Sequence, residues 1–383
     1  MYTQVTPVHA RLWHRGFIKL LLAHFFLTSA VYMSMSLLSS GLSSPDGYRL
    51  FACLMGCYAF GILLPAPFNN FLVQRFRRNR VCLLSVLLFT VSILGFYLTV
   101  RLPMASSSGA TWLMVLRGFS GMTSGLAQMV LCGTLIIDVC ESHNRSRANL
   151  LTAWCGRAGM AAGTAAGLLY PLQGATNPWL VIVGLSLAAF LPVATIHFPF
   201  RVPDEVHRVV SLDRFFLVQG RRLFVAALLV SMGVGLLLAA AFNASYVLFF
   251  LLGISLSWVV PHRWVEQNDS RLPLTAAFLT ALLAVLLARG GTGPSALSAV
   301  LLGRAWSLAG SLLLSLLFRR GDHCQRATAQ NTYFLASEWG LSAGLLVGCL
   351  LMASQRAEVA QMSAAFSFVF FLLLSFFAKY RRV

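Results

Sequence analysis

Apolar runs of about twenty residues, separated by short polar stretches, recur along the whole chain of 383 residues. Roughly 20 apolar residues, rising 1.5 Å each as a helix, are what it takes to cross the hydrocarbon layer of a bilayer. The pattern predicts twelve such spans, at about 17–38, 50–72, 81–102, 111–137, 148–171, 178–198, 223–242, 245–262, 272–288, 295–318, 328–353 and 362–378. Spans 7 and 8 are the least separated, because their apolar runs almost fuse between 242 and 245. The N-terminal stretch "MYTQVTPVHARLWHRGFIKLLLAHFFLTSAVYMSMSLL" has a basic start and a long apolar run but no compact small-residue cleavage site. It reads as an uncleaved first span.

The polar stretches are uneven in charge. If the N-terminus is cytoplasmic, most of the 29 Lys and Arg fall in loops on that side, and only Arg49, Arg101, Arg289 and Arg356 fall in loops on the other. Basic residues accumulate in cytoplasmic loops, so both termini are expected inside, and the compact loops suit an inner cell membrane. The longest polar connection, "FRVPDEVHRVVSLDRFFLVQGRR" (200–222), follows the sixth span. It divides the chain into an N-terminal bundle (1–199), a cytoplasmic linker (200–222) and a C-terminal bundle (223–383). The fold class expected is all-α and integral to the membrane, with twelve transmembrane helices in two pseudo-symmetric six-helix bundles.

Composition agrees with this reading. The chain is 58% hydrophobic and 10% charged, with mean hydropathy +0.77, where a soluble domain carries about a quarter charged residues. A net charge of +18 would point to nucleic acid in a soluble protein. Here the basic loops account for it, so the bilayer is the expected partner and nucleic acid is not. The eight cysteines form no CxxC pair, and the histidines fall into no ligand spacing. The single GxSxG, Gly340 to Gly344 about Ser342, lies inside apolar span 11 rather than at a strand-to-helix turn, so it makes no nucleophile elbow. A phosphate-binding loop needs Gly-Lys, yet the only lysines, Lys19 and Lys379, follow Ile and Ala. No enzyme activity, cofactor or metal is expected.

Four ionisable residues break the apolar runs: Arg117, Arg157, Arg304 and Glu338. Each costs about 2.5–3.5 kcal/mol at bilayer depth on insertion scales, so each should face a polar interior. In span 4, Arg117, Ser120, Ser124 and Gln128 follow at helical steps of three and four, stacking along one face. In span 10, Arg304, Ser307, Ser311 and Ser315 repeat the same steps, each 187 residues further on. The following helices also match: "RSRANLLTAWCGRAGMAAG" (145–163) aligns with "RATAQNTYFLASEWGLSAG" (326–344), so that Gly159 meets Gly340, Gly163 meets Gly344 and Arg157 meets Glu338. Opposite charges thus occupy one depth in equivalent helices. A plain salt bridge between them is the simplest alternative to a functional role, but three arginines against one acid leave positive charge uncompensated.

Twelve spans in two repeated halves, a basic central linker and a basic loop after span 2 resemble the major facilitator superfamily. Within "NFLVQRFRRNRV" (70–81), Arg75 and Arg78 match the arginines of the family's loop signature and Arg80 its trailing basic position, while Asn70, Gln74 and Arg77 replace its Gly, acid and Gly. "LMVLRGFSGMTSG" is similar to the span 4 signature, with Arg117 and Gly121 in register. "GMAAGTAAG" (159–167) partly resembles the antiporter signature of span 5, with Thr164 where that signature has proline. The resemblance implies alternating access about a midplane site, with spans 1, 4, 7 and 10 lining the cavity and spans 2, 5, 8 and 11 flanking it. It would set Arg117 and Arg304 on opposite walls, with Arg75, Arg78 and Arg80 as a gating loop.

The function expected is secondary active transport of a small organic anion. Paired guanidinium groups can clamp a carboxylate or phosphate bidentately. The candidate binding residues are Arg117, Arg304, Ser120, Ser124, Gln128, Ser307, Ser311, Arg157, Trp306 and Tyr333. Glu338, and His24 with Thr28 and Tyr32 on its face, are candidates for coupling to H⁺ or Na⁺. A monomer is expected. The alternatives are a multidrug or amphiphile exporter, suited by Trp154, Trp306, Tyr333 and Trp339, and a membrane scaffold that transports nothing.

Overall fold

The computed structural model describes residues 12–39, 42, 44–100, 107–141, 144–170, 177–196, 208–240, 243–257, 271–288, 292–322 and 325–379. Arg11, Arg101, Arg201, Arg263, Arg289, Arg381 and Arg382, which helped to orient the spans, lie outside these residues, as do the linker positions before 208.

The described residues form twelve long helices: α1 (Arg15–Leu38), α2 (Pro45–Leu63), α3 (Arg78–Val100), α4 (Ser107–Val130, extended to Asp138), α5 (Arg145–Leu169), α6 (Pro178–Ala194), α7 (Arg221–Ala240), α8 (Ala244–Leu256), α9 (Arg271–Leu287), α10 (Thr292–Arg320), α11 (Arg326–Ala353) and α12 (Ala357–Lys379). Local chemistry sets several of the starts. Ser44 accepts from the Gly47 N–H at 3.1 Å, with Pro45 in the first turn. Asn177 does the same for Trp179 at 3.1 Å, ahead of Pro178. Asn243 accepts from the Ser245 N–H at 3.2 Å, and this cap separates α7 from α8 where the apolar pattern alone nearly merges them. The end of α4 widens into a π turn at Leu131–Leu135, an insertion that often sits beside functional groups.

The two halves pack by one scheme. In the first, α1 lies against α5 and α6, α4 against α2 and α3, and α3 against α6. In the second, α7 lies against α11 and α12, α10 against α8 and α9, and α9 against α12. Each pairing recurs six helices later, and the sequence repeat explains why. A Cβ on Gly159 would stand 2.6 Å from the Phe25 carbonyl oxygen, and one on Gly163 would stand 2.1 Å from that of Ser29. Their counterparts Gly340 and Gly344 meet the carbonyls of Leu228 and Met232 at 2.4 and 2.2 Å in the same sense. Only glycine lets these backbones approach so closely.

Between the halves, α2 packs on α11, and α5 on α8 and α10. Leucines and phenylalanines stay exposed on α3 (Leu84, Leu98), α6 (Leu187, Leu191), α9 (Leu279, Leu286) and α12 (Phe366, Phe370). These helices form the apolar rim that a bilayer would cover.

The linker ties the halves at one end. The Arg214 carbonyl accepts from Asn69 Nδ2 at 3.1 Å, in the first half, and from Asn331 Nδ2 at 2.6 Å, in the second. The Ser211 N–H donates to the Pro67 carbonyl at 3.1 Å, and the Leu217 N–H to Thr332 Oγ1 at 2.8 Å. Arg214 adopts a left-handed backbone, with φ 61°. Burial holds its guanidinium below the usual arginine range, with the charge of Arg78 adding to the effect.

The glycine seams generate a prediction. Gly344→Ala overpacks the α7–α11 crossing and should cost about 1–3 kcal/mol, read as a lowered melting temperature in detergent. Gly184→Ala, where an added Cβ meets nothing within 4 Å, should melt like the parent. Equal melting of the two variants would contradict the seam.

Candidate functional site

Two arginines and one acid occupy the interior, and each takes its partners from a different helix. Arg157 on α5 reaches across to the second half. Its Nη1 donates to Ser311 Oγ at 2.7 Å and Ser307 Oγ at 3.4 Å, and its Nη2 donates to Tyr333 Oη at 3.1 Å. The guanidinium also lies over the Trp154 ring, 5.0 Å from its centroid. Gly310 makes room for this contact, since a Cβ there would stand 2.2 Å from Tyr333 Oη and 2.8 Å from Arg157 Nη2. Arg157 is 7% exposed, and all of these partners are neutral.

Glu338 on α11 reaches the opposite way. Tyr32 Oη donates to its Oε1 at 2.7 Å and Tyr58 Oη to its Oε2 at 3.4 Å, so both donors come from the first half. No ion pair joins Glu338 to Arg157. Elsewhere Arg49 meets Asp46 in an exposed ion pair, and Arg78 meets Asp138.

Arg117 is fully buried. Its Nη1 donates to Ser34 Oγ at 3.1 Å, and its guanidinium carbon lies 4.3 Å from the Tyr58 ring centroid. Its Nε and Nη2 have no hydrogen-bond acceptor. Tyr58 therefore stands between Arg117 and Glu338, offering its ring face to the cation and its hydroxyl to the acid. The signal for Tyr58 lay in the α2–α4 crossing, where a Cβ on Gly121 would stand 2.4 Å from the Tyr58 carbonyl oxygen. Sequence reading passed over it.

A cavity of about 70 Å³ opens beside these groups. His24, Thr28 and Tyr32 of α1, Gln128 and Cys132 of α4, Gly156, Arg157 and Met160 of α5, Trp306 of α10, and Gln330, Tyr333 and Glu338 of α11 contribute to its wall. His24 is buried, with its Nδ1 3.5 Å from Thr28 Oγ1 and 3.4 Å from Cys132 Sγ. Trp306 donates to Ser231 Oγ at 3.1 Å and stacks on Phe250. A second cavity of about 70 Å³ follows, lined by apolar groups including Met35, Phe51, Leu238, Phe250 and Leu341, and it shares Tyr32 and Met160 with the first.

The predicted residues therefore divide. Arg157, Glu338, His24, Gln128, Trp306 and Tyr333 come together on one chamber. Ser307 and Ser311 serve Arg157, and Ser311 also bonds its own helix at the Ser307 carbonyl. Ser120 and Ser124 donate to the backbone carbonyls of Arg117 and Ser120 within α4, and Ser124 also meets the Tyr58 hydroxyl.

Arg304 requires a correction. Its side chain is exposed, lines neither cavity, and does not face Arg117. It shares a helical stripe with Leu297, Leu301 and Leu308, which are exposed or half-buried, while its neighbour Gly303 packs on the Phe250 carbonyl. That crossing turns position 304 outward. The expected roles of α1, α4 and α10 in lining the site agree with the chamber, whereas α7 stands behind Trp306 and α5 and α11 supply most of the charge. Of the loop arginines, Arg75 and Arg80 are exposed, and Arg78 meets Asp138 at the end of α4.

No protein-family model and no curated protein matches the sequence. Solved structures do match. The E. coli fucose:proton symporter superposes at a TM-score of 0.66 with 12% identity, over 97% of this chain and 100% of that one. The human organic anion transporter MFSD10 gives 0.67 with 16% identity, over 94% and 98%. A bacterial homologue of the iron transporter ferroportin, in an outward-facing state, gives 0.64 with 17% identity, over 95% and 99%. The chain has the major facilitator superfamily fold. It is a multi-pass membrane protein, and in this major facilitator fold the chamber lies between the two six-helix bundles.

Arg117 yields a prediction. A fully buried cation with two unmet donors is often replaced by an apolar residue of similar volume without loss of stability. Arg117→Met should melt no lower than the parent in detergent. A drop of several degrees would mean that the guanidinium holds the fold together.

Proposed function

We propose that the chain is a secondary active transporter that moves a small organic anion by alternating access, coupled to protons. The observation that supports this reading is Arg157, a buried guanidinium at the interface of the halves whose hydrogen-bond partners are the neutral Ser307, Ser311 and Tyr333. A cation in such a place is most stable when a mobile carboxylate completes it. Glu338, on the same chamber, carries the coupling proton, and Tyr32 and Tyr58 follow its charge as it changes. His24 is the second protonatable group on the wall. Residues 1–199 rock against 223–383, with Arg78 and its neighbours Arg75 and Arg80 guarding the face that carries the linker. The basic loops orient this face toward the cytoplasm of an inner membrane, and the unit is a monomer. A symporter and an organic anion transporter among the similar structures support secondary transport as the class.

A second reading, export of amphiphiles, is favoured by the apolar cavity beyond Tyr32 and Met160.

The test is uptake of a panel of labelled small carboxylates into proteoliposomes under an imposed pH gradient. Arg157→Ala should abolish uptake, and Gly310→Ala, by displacing the guanidinium, should reduce it at least tenfold with folding intact. Glu338→Gln should retain exchange but lose accumulation driven by the gradient. Normal uptake by Arg157→Ala removes the anion reading. Accumulation by Glu338→Gln that still follows the pH gradient makes Glu338 structural, and accumulation that follows a sodium gradient instead replaces H⁺ by Na⁺.

A further inference from the structure

Two amides on the chamber wall have no partner. Gln128 on α4 is 3% exposed and Gln330 on α11 is 5% exposed. Both line the cavity, and neither side chain makes a hydrogen bond among the described residues. Gln128 Nε2 and Gln330 Oε1 are wholly enclosed. Buried amides are almost always paired, so two open ones on one small cavity need an explanation from its occupant. Each side-chain amide carries both a donor and an acceptor, so each half leaves one of either kind unmet. A secondary amide carries the complement, a C=O and an N–H on adjacent atoms.

We propose that the solute is a carboxylate with a secondary amide beside it and an apolar side chain, the chemistry of an N-acylated amino acid. This rests on the anion reading above, with Arg157 taking the carboxylate. The amide C=O accepts from one of the two glutamines and its N–H donates to the other. The side chain passes Tyr32 and Met160 into the cavity lined by Met35, Phe51 and Leu238. The size fits: each cavity measures about 70 Å³, room for a few small groups rather than a bulky drug. The amide is also preferred over a free ammonium, which only donates and so leaves the glutamine N–H groups unanswered.

The test is a binding titration on the purified full-length protein, read by tryptophan fluorescence because Trp306 lines the chamber. The probes are N-acetylleucine, its ester analogue 2-acetoxy-4-methylpentanoate, 4-methylpentanoate, N-acetylglycine and leucine. N-acetylleucine should bind about tenfold tighter than the ester, which lacks the N–H, and than 4-methylpentanoate, which lacks the amide. N-acetylglycine, without the side chain, and leucine, with an ammonium, should both bind more weakly. In the Gln128→Leu, Gln330→Leu double variant the amide and its ester should bind alike. If 4-methylpentanoate or leucine equals N-acetylleucine in the parent, and binding still needs Arg157, the amide assignment is overturned while the anion reading stands. If none of these carboxylates binds, both fall together.

Discussion

Each half of this protein solvates the buried ion of the other. Arg157 belongs to the first half but is held by Ser307, Ser311 and Tyr333 of the second. Glu338 belongs to the second but is held by Tyr32 and Tyr58 of the first. In a medium that excludes water, an ion without such contacts is costly. The interface between the halves is therefore stabilised by reciprocal exchange of hydroxyl groups. The chamber lies at the same place for the same reason: ions and cavity share one interface.

The rest of the architecture keeps that interface rigid on both sides. Within each half, paired glycines bring α5 onto α1 and α11 onto α7 at backbone contact. Packing of this kind resists bending within each half. The charges on the chamber wall, Arg157 and Glu338, sit on α5 and α11, the two helices these seams anchor. Arg117 lies one layer further back, screened by the Tyr58 ring.

Much of this could be read in the sequence. The apolar runs and basic loops located all twelve helices, and the offset that aligns Arg157 with Glu338 also aligns the glycines that make the two seams. The level of the charges along the helices was legible because helical rise is regular. Their direction was not. Arg304 lies on the edge of a serine stripe and equally on a leucine stripe, and only the α8–α10 crossing at Gly303 decides between them. The partners were hidden too. Tyr58 and Ser34 belong to helices far away in sequence, and a tyrosine in an apolar helix carries no mark that it faces a carboxylate. Serines 120 and 124 looked available in the sequence, but in the folded chain they bond the carbonyls one turn back.

The tie at the linker has a consequence for variation in this chain. Asn69 and Asn331 converge on a single main-chain oxygen, that of Arg214. A main-chain atom is present whatever residue occupies the position, so drift in the linker's side chains leaves the clasp in place. What can unfasten it is a change in the number of residues between α6 and α7, which would carry that oxygen out of reach of both amides. Linker length, more than linker composition, is where this fold has least freedom to vary.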